Sequence, residues 1–364
     1  MAKQLVSIPS ETTRSNAAIS DFLQSWLQEH GFTVERLSYV DALGEEKVNL
    51  IAKLGNGKGG LGFFSHSDTV HGDPCGWNPF DPVIQQDKLI GRGCCDMKGP
   101  LAATLIAAAT AAHGQLSKPV YLVTTADEEN GHVGARYIIE HSALLEDNWP
   151  ENAIVAEPTG MVPVYAHKGG ALITVTAHGK AAHTSTEKGV SANFIIAPFL
   201  ADMAALVPVF RNTERFKNHE FNPPTNGFNM TIDDGNCRPN VTAAKTVVRL
   251  SLRLMPNDHH DEQMAMIEDK AKAYGLEVEH RILEPFYISP DAEVIQTACR
   301  VTGIPKAVTV SYGTEAEAYQ KFTEPVILGP GSIEQAHTKG EWIDIEQLQK
   351  AVAVFSKMIE LLCK

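Results

Sequence analysis

The sequence predicts an α/β protein interrupted by a smaller α+β insertion, and three observations carry that expectation. Over residues 1–168 short apolar runs alternate with helical periodicity, the pattern of a layered sheet that is at least partly parallel. At Lys168-Gly169-Gly170 the pattern changes to half-exposed strands around two helices. From Asp291 the α/β alternation resumes. The expected domains are therefore 1–168, 169–285 as the insertion, and 286–364, with Gly169-Gly170 and the proline-containing stretch 284–290 as hinges. At 364 residues the chain exceeds the size at which a single core keeps growing, which agrees with this division.

Ile19, Phe22, Leu23, Trp26 and Leu27 recur at helical spacing in residues 17–30, and Gly31 stops the helix they form. Residues 32–37, 48–54 and 61–64 read as short strands separated by Gly and Lys turns. Residues 100–113 read as a buried helix, with Pro100 in its first turn and little polar surface. A buried strand at 120–124, an amphipathic helix at 133–145 and a strand at 153–156 complete the first part. In the insertion, strands at 171–177, 228–232, 244–254 and 276–283 accompany helices at 190–206 and 261–274. A helix at 292–302, a strand at 326–328 and a closing amphipathic helix at 345–362 end the chain.

A formal net charge of −13 and a pI near 5.5 argue against long nucleic acid or an anionic membrane as a partner, since both would be repelled. The N-terminus has one cation, Lys3, and no long apolar core, so it does not read as a secretory signal. The longest apolar stretch, 101–112, is too short to span a bilayer. Cys75, Cys94, Cys95, Cys237, Cys299 and Cys363 show no paired framework and no activating base, so all read as structural in a reducing cytoplasm. Small molecules are the expected ligands.

Chemistry concentrates at loops that follow apolar strands. Thr124-Thr-Ala-Asp127-Glu128-Glu129-Asn-Gly131 sets three consecutive acids after such a run with no basic neighbour. It reads either as the acidic first turn of the next helix, or as a division in which one of Glu128 and Glu129 holds a metal and the other moves a proton. His66-Ser-Asp68 ends a strand, and period 2 points both side chains the same way, so that a carboxylate supports a metal-bound imidazole. A surface turn with a local hydrogen bond is the plain alternative. Asp96, just before a helix, suits either an N-cap or a ligand bridging two cations; the neighbouring Cys94 and Cys95 are the lesser ligands among so many oxygens. Glu157 is locked by Pro158, and His337 closes a Gly-rich loop. Each alone could be a turn residue. Together Asp96, Glu128, Glu129, Glu157 and the two histidines gather where ligands collect in α/β layers, and two divalent metals would neutralise them.

These motifs carry a resemblance. His66-Ser-Asp68, Cys95-Asp96-Met-Lys-Gly99, Asp127-Glu128-Glu129, Ala156-Glu157-Pro-Thr and Ala336-His337 occur in the order and approximate spacing of the M20 metallopeptidase family. Nearly the whole chain, insertion included, resembles the branch holding acetylornithine deacetylases and succinyl-diaminopimelate desuccinylases. Thr125-Ala-Asp-Glu-Glu129, Ala166-His-Lys-Gly169, Gly313-Thr-Glu-Ala316 and Leu328-Gly-Pro-Gly-Ser332 look most like the former. The resemblance implies a zinc-peptidase-like catalytic domain with a mixed sheet flanked by helices, interrupted by a smaller α+β lid or dimerisation domain. It implies two zinc ions bridged by Asp96, with His66 and Glu157 completing one site and Glu129 and His337 the other. Glu128 would be the general base, and Asp68 would stand beside His66 in the catalytic set. Two cations lower the pKa of a shared water toward about 7, and a carboxylate free of metal can take its proton. Cobalt or manganese fits the same residue types.

In the insertion, His183 matches the family's histidine that reaches the active site of a partner subunit and helps hold the oxyanion; a solvent-facing loop histidine is the alternative. Asn240, Arg253 and Gly313 match positions that look like substrate binders, the guanidinium suiting a carboxylate. Ser251 and His71 depart from the pattern, standing where the family often has an acid and a proline. The implied protein is a homodimeric, metal-dependent amidohydrolase acting on an N-acyl amino acid or short peptide. A carboxypeptidase, a dipeptidase or a desuccinylase would share the metal site and differ in the pocket. A non-catalytic metal-binding homologue would have no chemical need for Glu128, and a structural protein with solvated acids would hold no stoichiometric metal.

Overall fold

The computed structural model describes residues 1–73, 76–112, 114–256 and 259–364. Cys75, read above as structural, and His113, the expected end of a helix, lie outside the described residues. Two compact units result, one formed by Met1–Tyr165, Tyr287–Val308 and Thr314–Lys364, the other by Ala166–Phe286 and Thr309–Gly313. Residues 309–313 are expected from the sequence to belong to the outer part, 286–364. Here the segment joins the second unit because Lys168 N–H donates to Val310 O at 3.3 Å.

In chain order the elements are α1 (Ala2–Val6), α2 (Ala17–Glu29), β1 (Thr33–Val40), β2 (Glu46–Leu54), β3 (Leu61–His66), β4 (Val83–Gln85), β5 (Lys88–Ile90), α3 (Lys98–Ala111), β6 (Val120–Thr125), α4 (Val133–His141), β7 (Asn152–Val155) and β8 (Val164–His167). Next come β9 (Gly169–His178), α5 (Ala192–Asn212), β10 (Phe228–Asp233), β11 (Lys245–Leu254), α6 (His260–Ala273) and β12 (Glu277–Leu283). The chain closes with β13 (Phe286–Tyr287), α7 (Glu293–Thr302), β14 (Val308–Val310), α8 (Ala316–Tyr319), β15 (Glu324–Ile327), β16 (Trp342–Asp344) and α9 (Ile345–Cys363). The helix expected over 133–145 stops at His141, where Ser142 turns extended and its hydroxyl donates to Glu35 Oε2 at 2.6 Å.

The first unit is built on a mixed sheet in the order β1-β2-β6-β3-β7-β15-β8. β3 runs parallel to β6 and β7, and β7 parallel to β15, while β1 and β2 form an antiparallel edge. β3 and β6 are buried along their whole length, the signature of strands covered on both faces. The Ala-rich α3 packs against α9, and Phe63 meets Phe355 of α9 with ring centroids 5.4 Å apart. Because His66 lies opposite Thr125 and Phe64 opposite Val155, the parallel strands end at one edge of the sheet.

The second unit is an antiparallel sheet, β10-β11-β9-β12, with α5 and α6 against it. β11 alternates buried and exposed residues, and its buried set (Val248, Leu250, Leu252) packs with Ile196, Phe199 and Met203 of α5 in one cluster. Among the described residues α5 is the helix long and apolar enough to cross a membrane by length and composition. Its buried residues cover the sheet, while its exposed residues include Phe194, Ala197, Ala201, Ala204, Ala205 and Val209, with the charged Arg211 in its last turn.

Candidate metal centre

Strand ends assemble the site. β3 delivers His66, β6 runs on to Asp127-Glu128-Glu129, and β7 leads to Glu157, so parallel register brings all of them to one sheet edge. Asp96 arrives on the Gly-rich loop before α3, and His337 on the loop after β15. His66 Nε2 stands 3.0 Å from Asp96 Oδ1 and 3.7 Å from Glu157 Oε1. His337 Nε2 stands 3.2 Å from Asp96 Oδ2 and 3.0 Å from Glu129 Oε1. Each oxygen of Asp96 thus faces a different imidazole. His66–Asp96–Glu157 and Asp96–Glu129–His337 each offer donor atoms within 4.8 Å of one another, and a third group, His66–Glu128–Glu129, overlaps both.

The His66–Asp68 pairing takes a different form from the expected one. His66 Nδ1 is 2.9 Å from the main-chain oxygen of Asp68, and the carboxylate lies 3.7 Å away. β3 ends at His66, so period 2 no longer governs where Asp68 points. Its carboxylate instead accepts from the N–H groups of Glu128 at 3.2 Å and Glu129 at 3.3 Å. Two further carboxylates serve as scaffold. Glu341 accepts from the N–H groups of Gly93, Cys95 and Asp96 at 2.8–3.1 Å and from Arg92 Nη1 at 2.7 Å, which fixes the loop bearing Asp96. Asp127 is buried with a left-handed φ of 54° and takes Lys47 Nζ at 2.8 Å, Tyr39 OH at 2.7 Å and Thr12 Oγ1 at 3.1 Å. Strained backbone held by a buried network is a recurring feature of functional sites.

Cys94 and Cys95 are not among the donor groups. Their thiols donate to the main-chain oxygens of Leu89 and Ser332, and burial, reinforced by Glu341, pushes both thiols up. Cys94, Cys95, Cys237, Cys299 and Cys363 are all free.

Charge is out of balance at this edge. Burial raises Glu129 to about 7, and burial with repulsion from Asp96 raises Glu157 well above the usual carboxylate range. Burial alone would lower His66, but its hydrogen bond to Asp96 and the surrounding acids hold it well above the usual imidazole value. Hydrogen bonds to Asp96 and Glu129 push His337 up to about 10. Buried acids that retain protons for lack of positive charge fit divalent cations, and two imidazoles with three carboxylates and no thiolate form a suitable donor set.

Glu128 has partners of its own. His132, four residues on, places Nε2 3.3 Å from Glu128 Oε1 and Nδ1 3.1 Å from Glu317 Oε1, and Arg136 Nη2 donates to the same Glu317 oxygen at 2.9 Å. Burial would raise Glu128, but the hydrogen bond and charge of His132 hold it below its usual range. Burial would lower His132, but Glu128 and Glu317 push it up to about 10. Glu315 is buried beside them and pushed up to about 8 by burial and by Glu128. His132, Glu315, Glu317 and Glu341 are not among the residues expected from the sequence. Helical spacing from Glu128 is the one available signal for His132, and Glu315 and Glu317 lie in or beside the quoted Gly313-Thr-Glu-Ala316 motif.

In the second unit His183 and Asn240 come together. His183 pairs by main chain with Val241, Thr184 N–H donates to Asn240 O at 3.0 Å, and the exposed His183 ring has Nδ1 2.7 Å from Ser185 Oγ. Arg253 is not near them. It lies opposite Gly170 toward the far end of β11, on a cavity of about 630 Å³ that Lys168, Phe210, Arg211 and Phe228 also line. Lys245, at the end next to His178, and Arg253 are eight residues apart on one strand, roughly 26 Å at the usual rise. Gly313 stands beside Lys168, where an added Cβ would meet the Lys168 oxygen at 3.4 Å. Ser251 is exposed opposite Asn229, and His71 is exposed with Nδ1 2.9 Å from Glu11 Oε1.

The family model of peptidase family M20/M25/M40 matches residues 62–361. An acetylornithine deacetylase of Proteus mirabilis is 32% identical over 380 aligned residues, covering 99% of this chain and 95% of that protein. Among solved structures, a tripeptidase from Staphylococcus aureus shares the fold with a TM-score of 0.75 at 22% identity, covering 99% of this chain and 96% of that one. A Bacillus subtilis structure described as a dinuclear metal binding peptidase of the M20 family has a TM-score of 0.64 at 15% identity, covering 100% and 96%. With the family model matched from β3 into α9 over a two-centre donor set, the chain belongs to peptidase family M20/M25/M40 and is a metal-dependent hydrolase of amide bonds.

Proposed function

We propose that the protein is a cytoplasmic, dizinc, homodimeric deacylase that removes the acyl group of an N-acyl amino acid of the acetylornithine type. The observation that carries the metal reading is Asp96, whose two oxygens face His66 at 3.0 Å and His337 at 3.2 Å. His66, Asp96 and Glu157 would hold one cation, and Asp96, Glu129 and His337 the other. Zinc suits this nitrogen and oxygen set, and cobalt or manganese is the alternative. Bound there, two cations supply Lewis acidity toward the amide carbonyl and acidify water.

The chain's own groups do the rest. Glu128 takes the proton of the attacking water and delivers it to the leaving amine. Glu128 suits that task better than Glu129 because His132 engages its carboxylate, whereas Glu129 faces His337. Asp68 supports the division by holding the N–H groups of both glutamates. His183 donates toward the oxyanion, Asn240 assists it, Arg253 takes the substrate carboxylate, and Gly313 leaves room beside Lys168. His183 with Asn240 and Arg253 stand at opposite ends of one strand, too far apart to meet a single small substrate from one chain. A second copy supplying His183 and Asn240 resolves this, and the apolar exposed stretch of α5 from Phe194 to Ala205, where Phe194 is 83% exposed, is the kind of surface such a copy covers.

The acyl amino acid reading draws on the deacetylase relatives, which match nearly the whole chain. Zinc- or cobalt-loaded protein should hydrolyse N-acetylornithine or another N-acetyl amino acid at least about tenfold better in kcat/KM than N-succinyl amino acids, dipeptides and tripeptides. Activity confined to peptides would overturn the deacylase reading and leave the metal centre standing.

A further inference from the structure

His132 occupies an unfavourable position for an ordinary residue. It precedes α4 in the left-handed region with φ 59°, and its side chain makes no capping bond there. A non-glycine residue held in this region costs of order 1 kcal/mol and persists where its surroundings over-determine it. The ring is nearly buried, and each nitrogen faces a different carboxylate, Glu128 at 3.3 Å and Glu317 at 3.1 Å. The far end is anchored twice. Arg136 Nη2 donates to Glu317 at 2.9 Å, and Arg136 Nη1 donates to Gly131 O at 3.1 Å, closing the turn that carries His132. Glu128 is thereby tied through the imidazole to α8, which bears Glu317, and to α4, which bears Arg136.

We propose that His132 is a positioning residue, its ring clamping one oxygen of Glu128 so that the other faces the reacting amide. The inference rests on the assignment of Glu128 as the proton-transferring group. It explains why two adjacent glutamates behave differently, since among the described residues no comparable clamp from α4 reaches Glu129, whose contact is His337. A general base must keep its oxygen within hydrogen-bond reach of the proton it abstracts, and a displacement of about 1 Å can lower the rate roughly a hundredfold.

The test uses the metal-loaded full chain with its best acyl amino acid. His132→Ala should lower kcat roughly 10- to 100-fold while KM stays within about threefold and metal content is unchanged. His132→Gln, whose amide can still donate to Glu128, should recover most of the loss. Glu317→Gln removes the charge that anchors the ring and should lower kcat less than His132→Ala; if His132→Ala does not fold, this variant carries the test alone. A kcat within about twofold of the parent in His132→Ala, or in Glu317→Gln where that stands alone, would overturn the proposal, as would a change in KM alone, a loss matched by lost metal, or no recovery in His132→Gln. Glu128→Gln separates the two claims. Normal turnover by Glu128→Gln removes the base assignment, whereas an inactive Glu128→Gln with a normal His132→Ala removes the clamp alone.

Discussion

The two units hold their candidate residues in opposite ways. In the first, His66, Asp68, Asp96 and Glu157 are at most 6% exposed and are cross-linked to one another or to main-chain N–H groups. Around them Glu341 gathers three N–H groups and a guanidinium, and Lys47 pairs with Asp127 where both are almost wholly buried. In the second, His183, Asn240 and Arg253 are exposed, and the His183 ring has Nδ1 2.7 Å from Ser185 Oγ of its own loop. Acids crowded in low dielectric repel one another, so the first arrangement needs both fixed hydrogen-bond partners from its own chain and the cations that its donor set fits. Exposed residues held from one side are suited to groups that arrive later, a substrate or a second copy.

The largest effect expected from breaking the first arrangement is on turnover. Glu128→Gln keeps the shape of the side chain and the contact with His132, so both metals should stay bound while kcat falls by roughly three orders of magnitude or more. Metal analysis beside steady-state kinetics checks both halves, and near-normal turnover would assign the chemistry to the metal ligands alone.

A smaller loss is expected in the second unit. His183→Ala should lower kcat roughly 10- to 100-fold with metal content unchanged, because it removes one oxyanion donor and no ligand. If the histidine acts in trans, mixing His183→Ala with Glu128→Gln gives heterodimers in which one site has both Glu128 and a partner's His183. An equal mixture should then regain about a quarter of parental activity by random pairing. No recovery after verified subunit exchange would sink the in trans role.

The contrast between the units also explains how much of each is legible in the sequence. Donor residues at strand ends are legible because buried parallel strands appear as continuous apolar runs, and the loops leaving those strands gather at one edge of the sheet. Their supports are not, because Glu341 meets Asp96 across 245 residues and Asp127 meets Tyr39 across 88. The carboxylate of Asp68 is misdirected when the period-2 rule is carried two residues past the end of β3. α1, β4, β5, β16 and α8 are too short for periodicity to register, and Pro198 and Pro208 inside α5 hide its full 21 residues.

The smallest expected effect probes what the buried acids do to the fold. Glu315 is 1% exposed, and burial with repulsion from Glu128 raises its carboxyl to about 8. Between the ordinary carboxylate value and about 8 the native state therefore holds a proton that the unfolded chain has released. The resulting contribution to stability is fully present below the unfolded value and is lost as pH rises through the folded one. Glu315→Gln keeps the shape and removes the titration, so its melting temperature should match the parent at about pH 5 and exceed it by roughly 2–4 °C at about pH 8, about 2–3 kcal/mol for a chain of this size. Equal differences at both pH values would show that Glu315 is charged in the folded protein, and would remove the link between its burial and the pH dependence of stability.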